Sequence, residues 1–239
     1  MARENGVGIA LARASNHFGP VSPYNYLAAQ QGFASMVCSN ASVTIAPWGG
    51  REAKFGNSPI GFGVPNPGSH PFMLDMAMSV AARAKIRNAL KRGERIPETW
   101  ATDRDGRATS DPKAALDGFL LAIGGHKGYG LALVVDLFAG LLSGASYLTH
   151  VTSWMEASEP QDLGHFFLVF DVSRLGSTEW LAQRMSDFCR VLRETPPSDP
   201  DKPVLVPGDI EIATLERHRR DGVVLEPGLR EKLEAMAAR

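Results

Sequence analysis

The chain has 239 residues, 44% of them apolar and 21% charged, and a net charge of −1. This is an ordinary globular balance, and it excludes the basic footprint of a nucleic-acid or anionic-membrane binder. Cys38 and Cys189 stand far apart in sequence, which points to a reduced, cytoplasmic protein without a disulfide framework or a zinc site.

The first residues, MARENGVG, contain no apolar signal segment. They read as the second half of a helix stopped by Gly6, so the chain is expected to begin inside a domain. Residues 7–13 alternate as a strand does. The next stretch, ASNHFGP, ends that strand sharply and sets His17 at its carboxyl end, where α/β proteins place their chemistry. Ser22 and Pro23 read as the cap and first residue of a helix that runs to about Gln31 and stops at Gly32. Residues 33–39 and 43–46 read as strands. Residues 47–71, dense in glycine and proline, read as a long loop with a short strand at 60–64, and loops of this length are often functional.

Residues 72–75 read as a strand, 78–92 as a helix, 103–106 as a tight turn and 120–123 as a strand. The apolar window GYGLALVVDLFAGLLSGA carries Asp136 in its middle and is short for a bilayer span, so it predicts a buried core helix. Residues 164–171 read as a strand. Residues 178–194 form an amphipathic helix with Trp180, Leu181, Met185, Phe188, Val191 and Leu192 on one face. A linker and two helices, 210–220 and 227–238, complete the chain. Strands and helices mix without regular βαβ alternation, so the sheet is expected to be mixed.

His17 has two readings: a loop histidine satisfied by backbone, or a neutral imidazole that takes the proton of a substrate hydroxyl. In GGHKGYG, four glycines surround Lys127 at a strand-to-helix junction, a site for an anion or a solvated lysine on a turn. His126 reads as structural or exposed. Neither a Walker pattern nor GxGxxG is present. Asp75 either caps the helix that follows it or meets a ribose or nicotinamide group, and Asp209 either caps a helix or meets an adenosine hydroxyl. His70, His150, His165 and His218 are scattered without metal-ligand spacing, so no metal is expected.

Six segments in this order, SNHFG, APWGGRE, FGNSPIGFGVP, LDMAMS, GHKGYGLAL and VPGDIE, resemble the malate/L-lactate dehydrogenase family. This is the group of NAD(P)-dependent 2-hydroxy acid oxidoreductases that includes ureidoglycolate and sulfolactate dehydrogenases. The resemblance implies an α/β fold with a mixed, largely antiparallel, non-Rossmann sheet and flanking helices. It also implies a homodimer and a cofactor, NAD or NADP. His17 corresponds to the family's proton-accepting histidine, and Lys127 to a lysine near cofactor and substrate. Ser39 and Asn40 correspond to a cofactor-contacting turn, where Ala41 replaces a serine of some members. Asp75, Met76 and Ala77 match a second cofactor segment, and Gly208, Asp209 and Ile210 a third. Family members carry a helical segment with a histidine and an arginine four residues apart, ahead of the region matched by ARENGVG. On the resemblance, residues 1–239 comprise the cofactor-binding and C-terminal part, with 195–239 as a helical extension and that segment absent. Exposed apolar surface is expected where it would pack. Three functions follow as expectations: a 2-hydroxy acid dehydrogenase, a non-catalytic remnant that still folds, dimerises and binds nucleotide, and a phosphate-binding hydrolase built on the GGHKGYG loop.

Overall fold

A computed structural model describes residues 1–153, 159–225 and 227–238. It divides into two compact units, residues 1–183 and 184–239.

In the first unit, helix α1 (Ala2–Asn5) ends at Gly6 and leads into β1 (Val7–Ser15), followed by α2 (Ser22–Gln30) and β2 (Phe33–Ser39). Then come β3 (Val43–Ile45), β4 (Phe55–Gly56), β5 (Ile60–Val64), β6 (Phe72–Met76), α3 (Arg83–Arg92) and β7 (Ala101–Thr102). They are followed by α4 (Pro112–Asp117), β8 (Phe119–Leu120), α5 (His126–Asp136) with a π-helical extension Leu137–Leu141, and β9 (Leu163–Asp171). Five strands form an antiparallel sheet in the order β1-β9-β2-β5-β6, and β4-β3-β8-β7 form a second, smaller sheet with one parallel pair. The fold is therefore mixed α/β with a largely antiparallel sheet.

Alternate residues of the large sheet face opposite layers. One face meets α2, and glycine permits the contact: a Cβ on Gly61 would lie 2.4 Å from Asn25 Nδ2 and 2.5 Å from Val21 Cγ2. On the other face, Cys38, Ile60 and Phe166 pack with Ile45 and Phe55 of the small sheet, Ala132, Val135 and Ala139 of the α5 segment, and Met78 from the connection after β6. Burying a side chain such as Ile60 or Phe166 stabilises the fold by on the order of 2 kcal/mol.

Three local expectations change. The helix predicted from Met78 begins only at Arg83, because the backbone before it is taken by strand-like pairing: Met78 N donates to Asn57 O and Val80 N to Leu121 O, at 2.8 and 2.9 Å. Helix α4, with Asp111 accepting from the amides of Lys113 and Ala114, has the Asp-Pro start of a capped helix and was not predicted. The apolar window does not form a wholly buried helix. Ala132, Val135 and Ala139 are buried, whereas Leu131, Val134, Leu137, Leu141 and Leu142 are exposed on its outer side. On β1, an edge strand, Val7, Ile9 and Leu11 are exposed as well.

In the second unit lie most of α6 (Thr178–Arg193), which begins in the first, and helices α7 (Asp209–Asp221) and α8 (Pro227–Ala237). Within α6, Cys189 is buried, and Trp180, Phe188 and Val191 of the expected apolar face are exposed. Both cysteines are buried free thiols. Among the described residues no helix is long and apolar enough to cross a membrane, and no cluster of His, Cys, Asp or Glu could hold a metal ion.

Candidate active site

The segment between β1 and α2 runs across one end of the large sheet, from the edge strand β1 to the opposite edge strand β6. Its starting point is tied at β1: Ala14, at a left-handed φ of 54°, donates its amide to Asp162 Oδ1 at 2.9 Å. Ser15 Oγ lies 2.8 Å from His165 Nε2 on the neighbouring strand β9. Phe18 stacks flat on that imidazole, with 4.1 Å between ring centroids and 10° between planes. Tyr24 stacks on the outer side of Phe18 at 4.8 Å and donates its hydroxyl to the Phe18 carbonyl at 3.0 Å. Val21 rests over Gly61 of β5. At the far end, Ser22 N donates to Asp75 Oδ2 of β6 at 2.9 Å.

His17 sits in the middle of this crossing, two residues beyond the end of β1, and is exposed. Its Nδ1 accepts the Gly19 amide at 3.2 Å. A neutral imidazole has one donor and one acceptor nitrogen. With Nδ1 accepting, Nε2 carries the proton and is the nitrogen left to meet a ligand.

Asp75 caps a helix, but not the one expected. Its partner is α2, some fifty residues earlier, and Ser22 is the first helical residue rather than the cap. Met76 and Ala77 follow it, half-buried at the end of β6. Ser39 and Asn40 are buried and engaged within the protein. Ser39 Oγ donates to the Asn40 carbonyl at 2.8 Å and lies 2.9 Å from His165 Nδ1. Asn40 Nδ2 donates to Ser146 O at 2.6 Å and its Oδ1 accepts Gly164 N at 2.9 Å.

Lys127 is exposed in the first turn of α5 and makes no ion pair among the described residues. Gly124 and Gly125 before it have φ of 58° and 62°, which only glycine adopts without strain, and among the described residues no side chain caps the helix. The first amides of α5 therefore have no capping side chain, beside one lysine. Trp48 lies against Gly125, 3.3 Å from where a Cβ would stand, and its ring meets His126 edge-on at 6.0 Å. A cavity of about 420 Å³ opens next to Trp48, Arg51 and Tyr129. No contact among the described residues joins Lys127 to His17.

In the second unit, Asp209 opens α7, accepts Val206 N at 2.9 Å and pairs with Arg193 at 2.7 Å. Gly208 is buried at a φ of 107°, and Ile210 is exposed.

Sequence reasoning missed His165, which it set among the scattered histidines. The residue lies inside β9, is 3% exposed, and has both ring nitrogens within hydrogen-bond distance of serine hydroxyls. Burial holds its pKa below the ordinary histidine value. The nearby Asn16 backbone opposes this shift, and the charge of His17 adds to it.

The sequence pattern of the malate/L-lactate dehydrogenase family matches residues 1–234. The L-sulfolactate dehydrogenase of Methanothermobacter thermautotrophicus is 34% identical over 236 residues, covering 99% of this chain and 67% of that protein. The (2R)-3-sulfolactate dehydrogenase (NADP(+)) of Chromohalobacter salexigens is 39% identical over 172 residues, covering 72% of this chain and 52% of that protein. The crystallised sulfolactate dehydrogenase of Methanocaldococcus jannaschii superimposes with a TM-score of 0.90 at 32% identity, covering 99% of this chain and 68% of that one.

Proposed function

This chain belongs to the malate/L-lactate dehydrogenase family, and from that premise we propose that it is a nicotinamide-dependent oxidoreductase interconverting a 2-hydroxy acid and its 2-oxo acid. The observation that carries the reading is the position of His17: an exposed imidazole at the end of β1, on a segment tied down at both ends. The relatives named above act on sulfolactate, a 2-hydroxy acid, and one is named for NADP(+). NAD or NADP is the cofactor of the proposed reaction.

The residues present fit such a cofactor. The uncapped amides of α5 and the Lys127 ammonium form a donor set for phosphate or carboxylate oxygens. When bound, the nicotinamide supplies hydride transfer to and from the substrate carbon. His17 handles the accompanying proton. To take a hydroxyl proton on Nε2, the ring must carry its own proton on Nδ1, which requires release of the Gly19 amide. In the reverse direction the imidazolium gives the Nε2 proton to the carbonyl oxygen, and Gly19 N can bind Nδ1 again once that nitrogen is deprotonated. The glycine therefore follows the protonation state of the catalytic ring. Lys127 holds negative charge near the reacting groups.

In this reading Asp75, Met76 and Ala77 border the cofactor, while Ser39 and Asn40 act by holding the strand ends together. Gly208, Asp209 and Ile210 enter as cofactor contacts by resemblance. A homodimer and a cytoplasmic setting complete the proposal, the latter supported by two buried free thiols.

The test is His17→Ala assayed with malate, lactate and sulfolactate, beside fluorescence titration of NADH and NADPH. Turnover is expected to fall roughly 10²-fold or more with cofactor binding retained. A loss smaller than about tenfold overturns the role of His17. Cofactor binding without any turnover in the native protein supports the non-catalytic alternative instead.

A further inference from the structure

His165 is a buried titratable group that the proposed mechanism does not use, and each of its ring nitrogens meets one serine hydroxyl. Ser39 has a single hydroxyl proton. Its other neighbours are backbone carbonyls, Asn40 O at 2.8 Å and Gly164 O at 3.3 Å, which can only accept. Ser39 Oγ lies 2.9 Å from His165 Nδ1. Ser15 Oγ lies 2.8 Å from Nε2 and 3.4 Å from the Asn16 carbonyl. A neutral ring donates to one of these serines and accepts from the other. The result is a chain of contacts from Ser15 at the end of β1, through His165 on β9, to Ser39 on β2 and a backbone carbonyl beneath it. The same imidazole presents its face to Phe18, the neighbour of His17, at 4.1 Å.

The geometry points to His165 as a positioning residue for the proposed reaction: by binding Ser15 and stacking on Phe18 it fixes both sides of His17. Ser15 and Phe18 are the residues two before and one after His17. Holding both leaves the His17 backbone little freedom, while its side chain stays exposed. A catalytic imidazole misplaced by about 1 Å loses much of its effect, so the support is felt in kcat rather than in cofactor binding. The inference rests on the reading of His17 as the proton-handling group, and the test separates the two.

Three variants and two kinds of readout are needed. His165→Phe retains a flat ring against Phe18 and removes both hydrogen bonds, Ser15→Ala removes one, and Ser15→Thr restores the hydroxyl. In the folded proteins, His165→Phe and Ser15→Ala are expected to lower kcat by about tenfold, with cofactor KM within about twofold of native. Ser15→Thr is expected to recover most of that loss. Amide hydrogen exchange at Gly19 should rise in the first two variants and not in the third. Unchanged Gly19 exchange and kcat in both folded loss variants overturn the proposal. If His165→Phe fails to fold, Ser15→Ala with Ser15→Thr decides alone. If His17→Ala leaves turnover intact, the Gly19 exchange data still judge the positioning, so failure of the catalytic reading is distinguishable.

Discussion

The carboxylate of Asp75 accepts the amide of Ser22 at 2.9 Å, so a strand at one edge of the large sheet caps the helix that follows the strand at the other edge. The contact satisfies one of the free amides at the start of α2 and places a negative charge at the positive end of the helix. It also closes the segment that carries His17. Replacing Asp75 with alanine should destabilise the protein by about 1 kcal/mol, while Asp75→Asn, which keeps an acceptor, should lose less. Thermal or denaturant unfolding of the three proteins measures the difference, and equal stability of Asp75→Ala and native protein would refute the cap.

The buried imidazole of His165 makes stability depend on pH near neutrality. Its pKa in the folded state lies below the ordinary 6.5, because burial penalises the charged ring. Between that depressed value and 6.5 the unfolded chain binds a proton that the native protein does not, so stability falls as pH falls through this window and is unaffected above it. The slope from this group is at most about 1.4 kcal/mol per pH unit. Urea unfolding from pH 8 down to pH 5 should show the fall, and His165→Phe should remove it.

Asp136, in the middle of an apolar helix, uses Oδ2 to accept Leu148 N at 3.0 Å, and among the described residues its Oδ1 has no partner. Burial raises its pKa above the ordinary 3.8. The native protein therefore holds this proton more tightly than the unfolded chain, and stability declines as pH rises from about the ordinary value to the raised one. Asp136→Asn keeps an acceptor for Leu148 without a charge, and is expected to be at least as stable as native at pH 7. Asp136→Leu leaves that amide unpaired and should cost about 1–3 kcal/mol. Melting temperatures at pH 4 and pH 7 test both.

Two glycines of the same region should respond oppositely to alanine. A Cβ on Gly164 would lie 1.7 Å from the Ala139 carbonyl oxygen, against the π-helical turn, and neither backbone can yield without disturbing the sheet. Gly164→Ala should cost several kcal/mol or prevent folding. Gly130, inside α5, has no positive φ, and among the described residues nothing lies within 4 Å of where its Cβ would stand. Gly130→Ala should raise stability by about 0.4–1 kcal/mol through the helix and the unfolded chain. Calorimetry of the pair gives the sign of each.

Much of the fold is legible in the sequence because its signals are local. The alternation of Val7, Ile9 and Leu11 marks β1, Gly32 stops α2 with a φ of 79°, and the apolar run after Gly164 forms β9. The Asp-Pro start of α4 is a local signal of the same kind, but the reading along the chain missed it. His17 could be placed from its neighbours alone, since Asn, Gly and Pro end a strand wherever they occur in such order. The start of α3 was not readable, because the residues from Met78 to Val80 are held by strands and loops distant in sequence.

Local composition, turn chemistry and periodicity determined which stretches became strands and helices, and which histidine lies at a strand end. The tertiary structure alone decided what that histidine rests on. His165 meets Ser15 and Ser39 because the register of three antiparallel strands sets them side by side, across 150 and 126 residues of sequence separation. The same is true of Asp75, which caps a helix that begins 53 residues earlier in the chain. Strand order and register are set by which apolar faces can be buried together, a property of the whole sheet that no single window of sequence contains.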